Sequence, residues 1–223
     1  MALSELDISA LWVTLRLACM TVLVLLIVGT PIAWWLAHTR SKFRTIVEAL
    51  VALPIVLPPT VLGFYILVTL GPYGPIGRLT GITFAFTFWG LVIASAFYSM
   101  PFVIQPLHAA FEAVGKAPLE AAWSLRASPF DAFLSVASPL ALRGYISGIV
   151  LGFAHTMGEF GVVLMVGGSI PGQTRVLATS VFDHVELMEY TQAHIISAGM
   201  LVFSFLVLLG VYVFNRKFPI HVS

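Results

Sequence analysis

The sequence predicts an all-α integral membrane protein, a helical bundle of about five transmembrane spans. Three observations carry that prediction. Of 223 residues, 59% are hydrophobic and only 9% are charged, against roughly 25% charged residues in ordinary soluble domains. The apolar residues gather into five runs, each long enough for the roughly 20 helical residues that cross a hydrocarbon core. Strand-type alternation is absent over these runs, so helices are preferred to a barrel.

The first run is Leu11–Ala37. Glu5 and Asp7 precede it where a signal peptide would carry basic residues, and it is too long to be one. It holds Cys19, the single cysteine, so there is no disulfide framework and no Cys-based metal site. The second run, Ile46–Leu70, contains Pro54, Pro58 and Pro59. Prolines remove backbone donors and interrupt the helix. In a bilayer the freed carbonyls need other partners, so broken helices face protein or a watery cavity. Pro58, Pro59, Thr60 and Gly63 are therefore candidates for lining a substrate path. A kink packed against neighbours is the alternative. The third run, Phe88–Ala110, carries Pro101 and Pro106 and predicts a second kink.

A polar stretch from Pro118 to Pro139 separates this run from the fourth, Leu140–Val166. The fourth run begins with Gly144, Gly148 and Gly152, small residues four apart that let another helix come close. The spacing leaves open whether that helix belongs to the same chain or to a second copy. Farther on stands Gly158-Glu159-Phe160-Gly161. An acid in an apolar helix costs a few kcal/mol unless it is paired or wet, which marks Glu159 as a candidate site. His155 lies one turn earlier on the same face. One His and one Glu are too few for a metal site. A structural bond and substrate handling are both open, although a carboxylate would repel an anion. The turn-rich Gly167–Arg175 follows, and its backbone donors with Arg175 could cradle an oxyanion or form an ordinary turn. Asp183, Glu186 and Glu189 near His184 read as a solvated face or as a partner for a basic patch. The last run is Ala193–Phe214.

Lys and Arg set the orientation. One side holds Arg40, Lys42, Arg44, Lys116, Arg126, Arg143, Arg216 and Lys217; the other holds Arg16, Arg78 and Arg175. The N-terminus is thus expected outside, and the polar loop and C-terminus in the cytoplasm. Trp34, Trp35, Trp89 and Tyr190 near span ends fit interfacial belts.

The loop contains Glu120-Ala121-Ala122, followed some fifteen residues later by Val136-x-Ser138-Pro139. It resembles the cytoplasmic Glu-Ala-Ala loop of ABC-importer permeases, although Arg126 stands where that family usually has Gly and Ser138 where it has Leu. Leu53-Pro54-x-Val56-Leu57-Pro58-Pro59, Ile82-Thr83-Phe84-Ala85-Phe86, Gly158-Glu159-Phe160-Gly161 and Ile170-Pro171-Gly172-x-Thr174-Arg175 all resemble the molybdate, tungstate and sulfate permeases, with Ile82–Phe86 and Ile170–Arg175 leaning to molybdate. The matches span about residues 45–180.

The resemblance implies a type I (MetI-like) ABC permease forming a single domain over residues 1–223, with a coupling loop at about 112–139. Glu120, Ala121, Ala122, Trp123, Leu125 and Arg126 would couple to an ATPase through a short helix starting near Pro118. With Arg126 replacing Gly, that helix is expected to run on toward Pro129. Pro58, Pro59, Thr60, Gly63, Gly158, Glu159 and Gly161 would belong to the translocation pathway, and Thr174 and Arg175 to an outer loop. The implied partners are a second permease copy, two ABC ATPase subunits and a periplasmic molybdate-binding protein in a bacterial inner membrane, with no nucleic acid. ATP and Mg2+ would sit on the ATPase, and this chain would hold no cofactor and no metal.

Two other classes fit less well. A secondary transporter would need a coupling-ion site, and Glu159 is the only mid-membrane acid; repeated halves are also missing. A membrane enzyme lacks its motifs: there is no Gly-x-Ser-x-Gly, no His-Glu-x-x-His and no phosphate-binding loop, since Gly115-Lys116 is followed by Ala117.

Overall fold

The computed structural model describes residues 4–217, with side chains through Val213. Arg216, Lys217 and Ser223 lie outside the described side chains. The order of helices is α1 (Glu5–His38), α2 (Arg44–Val56), α3 (Pro59–Leu70), α4 (Pro75–Thr80), α5 (Phe88–Val114), α6 (Ala117–Ser124), α7 (Pro129–Ala132), a π-helical turn (Phe133–Ala137), α8 (Ser138–Leu140), α9 (Leu142–Met157), α10 (Gly161–Gly167), α11 (Leu177–Glu186) and α12 (Tyr190–Lys217). No strand occurs among the described residues. Among the described residues, four helical stretches are long and apolar enough to cross a membrane, or five if the pair Pro129–Leu140 and Leu142–Met157, bent by 68°, is one span.

Helix α5 is the axis of the bundle. Of its most apolar window 56% is buried, against 6% for α12, which lies outermost. One side of α5 packs on α1 and α2, where Val103, Ile104, Leu107 and Phe111 meet Leu25, Ala33, Leu36 and Val51. Another side receives α9. A Cβ on Gly144 would come 2.4 Å from Ala110 Cβ, and one on Gly152 would come 2.5 Å from Val103 Cγ2. The glycine stripe thus serves helix contact within this chain. Trp34 stands edge-on to Phe111 and Phe133, at 5.2 and 5.1 Å between centroids. It belongs to the core and not to an interfacial belt.

Proline acts differently at different sites. Pro31, Pro54, Pro101 and Pro106 all lie inside continuous helices. The kink expected in the third run therefore does not interrupt α5. The second run does break, at Leu57–Pro58, where Leu57 turns extended (φ −71°, ψ 136°) and Pro59 starts α3. The residue before a proline is pushed out of helical geometry, so Pro58 after Leu57 and Pro59 after Pro58 fix the break. The fourth run also breaks, at Gly158–Phe160, so Glu159 sits between two helices and not within one.

Candidate functional site

The two breaks lie together in the middle of the bundle. A Cβ on Gly161, the first residue of α10, would fall 3.2 Å from Pro59 Cβ and 3.4 Å from Thr60 Cγ2. A Cβ on Gly63 would fall 2.8 Å from Met165 Cβ and 3.1 Å from Val162 Cα. Only glycine at 63 lets α3 and α10 touch this closely. Pro58, Thr60 and Gly158 are exposed beside this contact, and Pro59 is half-buried. The exposed residues of the two breaks, Val56, Pro58, Thr60, Val61 and Gly158, carry no charge.

The charge of Glu159 is turned the other way. Its side chain is 0% exposed. Ser95 Oγ donates to Oε2 at 2.6 Å and Ser99 Oγ donates to Oε1 at 2.5 Å, both from α5. Ser99 also lies 2.9 Å from His155 Nδ1 and 2.9 Å from Thr156 Oγ1. Since Ser99 spends its single proton on Glu159, His155 Nδ1 and Thr156 must donate to Ser99. The His155 ring stacks on Phe102 at 4.0 Å. Bonds from hydroxyls to a carboxylate are among the stronger hydrogen bonds, and a buried carboxylate without them is costly. Glu159 therefore clasps the break to α5, with its carboxylate buried away from the exposed residues of the breaks.

A second candidate surface lies at the far end of α5. Helix α6 rests on the body through Leu119, which is 1% exposed and packs with Ala132, Ala137, Trp34 and Ala122. Glu120, Ala121 and Ser124 face outward with Trp123 (47% exposed) and Leu125 (85%). The helix does not run on to Pro129. It ends at Ser124, Arg126 N–H donates to Trp123 O at 2.9 Å, and Ala127 N–H donates to Ala122 O at 3.1 Å. This is a Schellman turn, whose left-handed position Arg126 fills with φ 64°.

The sequence profile of the family described as "Binding-protein-dependent transport system inner membrane component" matches residues 29–218. The chain belongs to this family. It is 60% identical over 227 residues to "Molybdenum transport system permease protein ModB" of Azotobacter vinelandii, covering 100% of both chains. It is 34% identical to the ModB protein of Escherichia coli K12 over 83% of each chain. It is also 34% identical to "Probable sulfate transport system permease protein cysT" of Nephroselmis olivacea, over 97% of this chain and 78% of that one. Among solved structures, an inward-facing MetNI methionine ABC transporter superposes with TM-score 0.73 at 18% identity, over 96% of this chain and 99% of that one. A bacterial ABC transporter that imports the acidic polysaccharide alginate gives 0.75 at 16% identity, over 97% and 81%. At these identities the structures show the fold, that of MetI-like ABC importer permeases.

For a permease of this family, the residues singled out in the sequence divide into three places. Pro58, Pro59, Thr60, Gly63, Gly158, Glu159 and Gly161 come together, with Glu159 facing inward. Glu120, Ala121, Trp123, Leu125 and Arg126 form an exposed ridge at one end, while Ala122 turns half toward its own chain. Thr174 and Arg175 are separate from both. Thr174 Oγ1 donates to Gly167 O at 2.6 Å and accepts from Ile170 N–H at 2.9 Å. Arg175 is buried, with Nε 3.1 Å from Asp183 Oδ2 and Nη2 donating to Ser180 Oγ at 3.2 Å. Its guanidinium is thus paired with Asp183 and Ser180 inside the chain. Ser95, Ser99 and Thr156 were missed, because a hydroxyl inside an apolar run looks the same whether or not it meets an acid. His184 was read as part of a solvated face or a docking patch, yet it is buried between Asp7 and Glu189.

Proposed function

We propose that this chain is the membrane permease subunit of an ATP-driven importer of molybdate. The observation that carries this reading is the 60% identity over the full length to the Azotobacter vinelandii ModB protein, against 34% to a sulfate permease. In this reading two copies of the chain pair, and their broken spans border a central path. The exposed groups at the breaks suit transit of a dianion. Pro58, Thr60 and Gly158 are neutral, and a passing ion needs weak sites that let it leave. The buried Glu159 keeps its negative charge out of the anion's way while fixing the walls.

Two ATPase subunits would bind the ridge of α6 and carry ATP and Mg2+; this chain would perform no catalysis. Trp123 is an aromatic anchor of the kind that dominates interfaces, with the exposed Leu125 beside it, and the small Ala121 leaves room for close approach. A periplasmic binding protein would deliver the oxyanion at the opposite end. The Lys/Arg asymmetry supports placing α6 in the cytoplasm of a bacterial inner membrane and the start of α1 outside. Alternating access then comes from the ATPases moving α6, with the clasped breaks shifting as a unit.

The test is competition uptake in proteoliposomes holding the whole complex. Excess unlabelled tungstate, nearly equal in size and charge, is expected to block labelled molybdate, and equal sulfate is expected not to. Block by sulfate at comparable concentration would move the assignment to the sulfate branch.

A further inference from the structure

At the end of the bundle opposite α6, one histidine touches two acids. His184 Nε2 lies 3.0 Å from Asp7 Oδ1, and Nδ1 lies 2.7 Å from Glu189 Oε2. A carboxylate only accepts hydrogen bonds, so both contacts are hydrogen bonds only when both ring nitrogens carry protons. The imidazole is 9% exposed, so little water stands ready to replace a lost bond. The three residues come from three elements: Asp7 from the first turn of α1, His184 from α11, and Glu189 from the corner before α12.

We propose that protonated His184 is a clasp joining the start of α1 to the α11–α12 corner, tightening this end of the bundle as pH falls and loosening it as pH rises. The surroundings support a change centred on the ring. Asp7 keeps other donors, Ser180 Oγ at 2.5 Å to Oδ1 and Ser4 Oγ at 2.6 Å to Oδ2, so it remains a carboxylate when the ring loses its proton. Of the other charges nearby, Arg175 is engaged by Asp183, while Glu5 and Glu186 are exposed, as are Tyr190 and His194 on α12. The proton on His184 thus has Asp7 and Glu189 as its direct partners. Burial opposes the charged ring, but the hydrogen bonds to Asp7 and Glu189 outweigh it, and the pKa of His184 is raised. A raised value in the folded state gives stability that is complete below the ordinary histidine value of about 6.5 and lost as pH rises through the folded value. In the proposed orientation the clasp faces the outer compartment; the clasp itself does not depend on the substrate.

The test is thermal unfolding of the purified chain in lipid nanodiscs at pH 6 and pH 9, for wild type, His184→Gln and Glu189→Gln. The wild-type midpoint is expected to fall at the higher pH by about 2–4 °C more than that of His184→Gln. Glu189→Gln alters an exposed residue and keeps the fold. Its amide can donate to an unprotonated Nδ1, so it should show a smaller fall than wild type. Nitrogen NMR of labelled histidines, with His184 assigned from its variant, should show two bound protons on its ring at pH 6. Identical pH dependence in all three proteins, or a singly protonated His184 ring at pH 6, would overturn the clasp whatever the complex transports.

Discussion

The break between α2 and α3 and the break between α9 and α10 lie against each other, yet they arise from different causes. The first is local. Pro58 and Pro59 force Leu57 and Pro58 out of helical geometry, whatever surrounds them. The second contains no proline. Gly158 weakens the helix, but Glu159 leaves it to meet Ser95 and Ser99 on α5. One break is written into the backbone, and the other is held by side chains some sixty residues away. The proline break should therefore keep its shape when its neighbours change, whereas the glutamate break should fail when its partners are removed.

The largest expected effect tests that dependence. Replacing Ser95 and Ser99 together with Ala leaves Glu159 buried without its two hydroxyl donors, with His155 Nδ1 3.4 Å from Oε1. Removing the partners of a buried charge costs about 3–5 kcal/mol, so the double variant should unfold at much lower temperature or denaturant in detergent. Adding Glu159→Leu removes the stranded charge and should recover a good part of the loss. If the double variant is as stable as wild type, the clasp is not what holds the second break.

A smaller effect is expected at the proline break. Changing Pro58 and Pro59 to Ala restores two donors and frees Leu57 to become helical. Stability should fall by about 1–2 kcal/mol, less than at the glutamate break, because Pro58 is exposed while Pro59 is half-buried against Gly161. Uptake should fall at least tenfold, since a straightened α2–α3 would pull Gly63 and Thr60 out of register with α10. Normal uptake in this variant would mean that packing on α10 sets the break without help from proline.

The same division explains what was legible in the sequence. The spans, the proline break and the glycine stripe depend on composition and on spacing within one helix, and they were readable. The position of Leu57–Pro58 followed from proline chemistry alone. Glu159 was recognised as unusual, but its role was not, because the deciding partners Ser95 and Ser99 are ordinary residues on another helix. The burial of Arg175, expected in an oxyanion cradle or an ordinary turn, and of His184, expected on a solvated face or a docking patch, was hidden for the same reason: nothing near them in the chain announces Asp183 or Asp7 as their partners. At Pro101 and Pro106 the helix stays continuous, with α5 packed against α1 and α9 on either side.

The smallest effect concerns Arg126, where the local signal was present and was drawn to the wrong conclusion. The absence of the usual Gly suggested a longer helix. Instead the turn forms with a left-handed arginine, because the bonds from Arg126 N–H to Trp123 O and from Ala127 N–H to Ala122 O satisfy carbonyls at the end of α6. A side chain in that conformation costs roughly 1–2 kcal/mol relative to glycine, and glycine returns roughly half of this through its freer unfolded chain. Arg126→Gly should therefore stabilise the α6–α7 turn by about 0.5–1 kcal/mol, seen as slower amide exchange at Arg126 and Ala127 with the exposed Trp123 and Leu125 unmoved. Arg126→Ala keeps the Cβ and should bring no such gain. If Ala slows exchange as much as Gly does, the cost at this position lies in the arginine's charge and not in its backbone, and the left-handed turn is not what glycine would relieve.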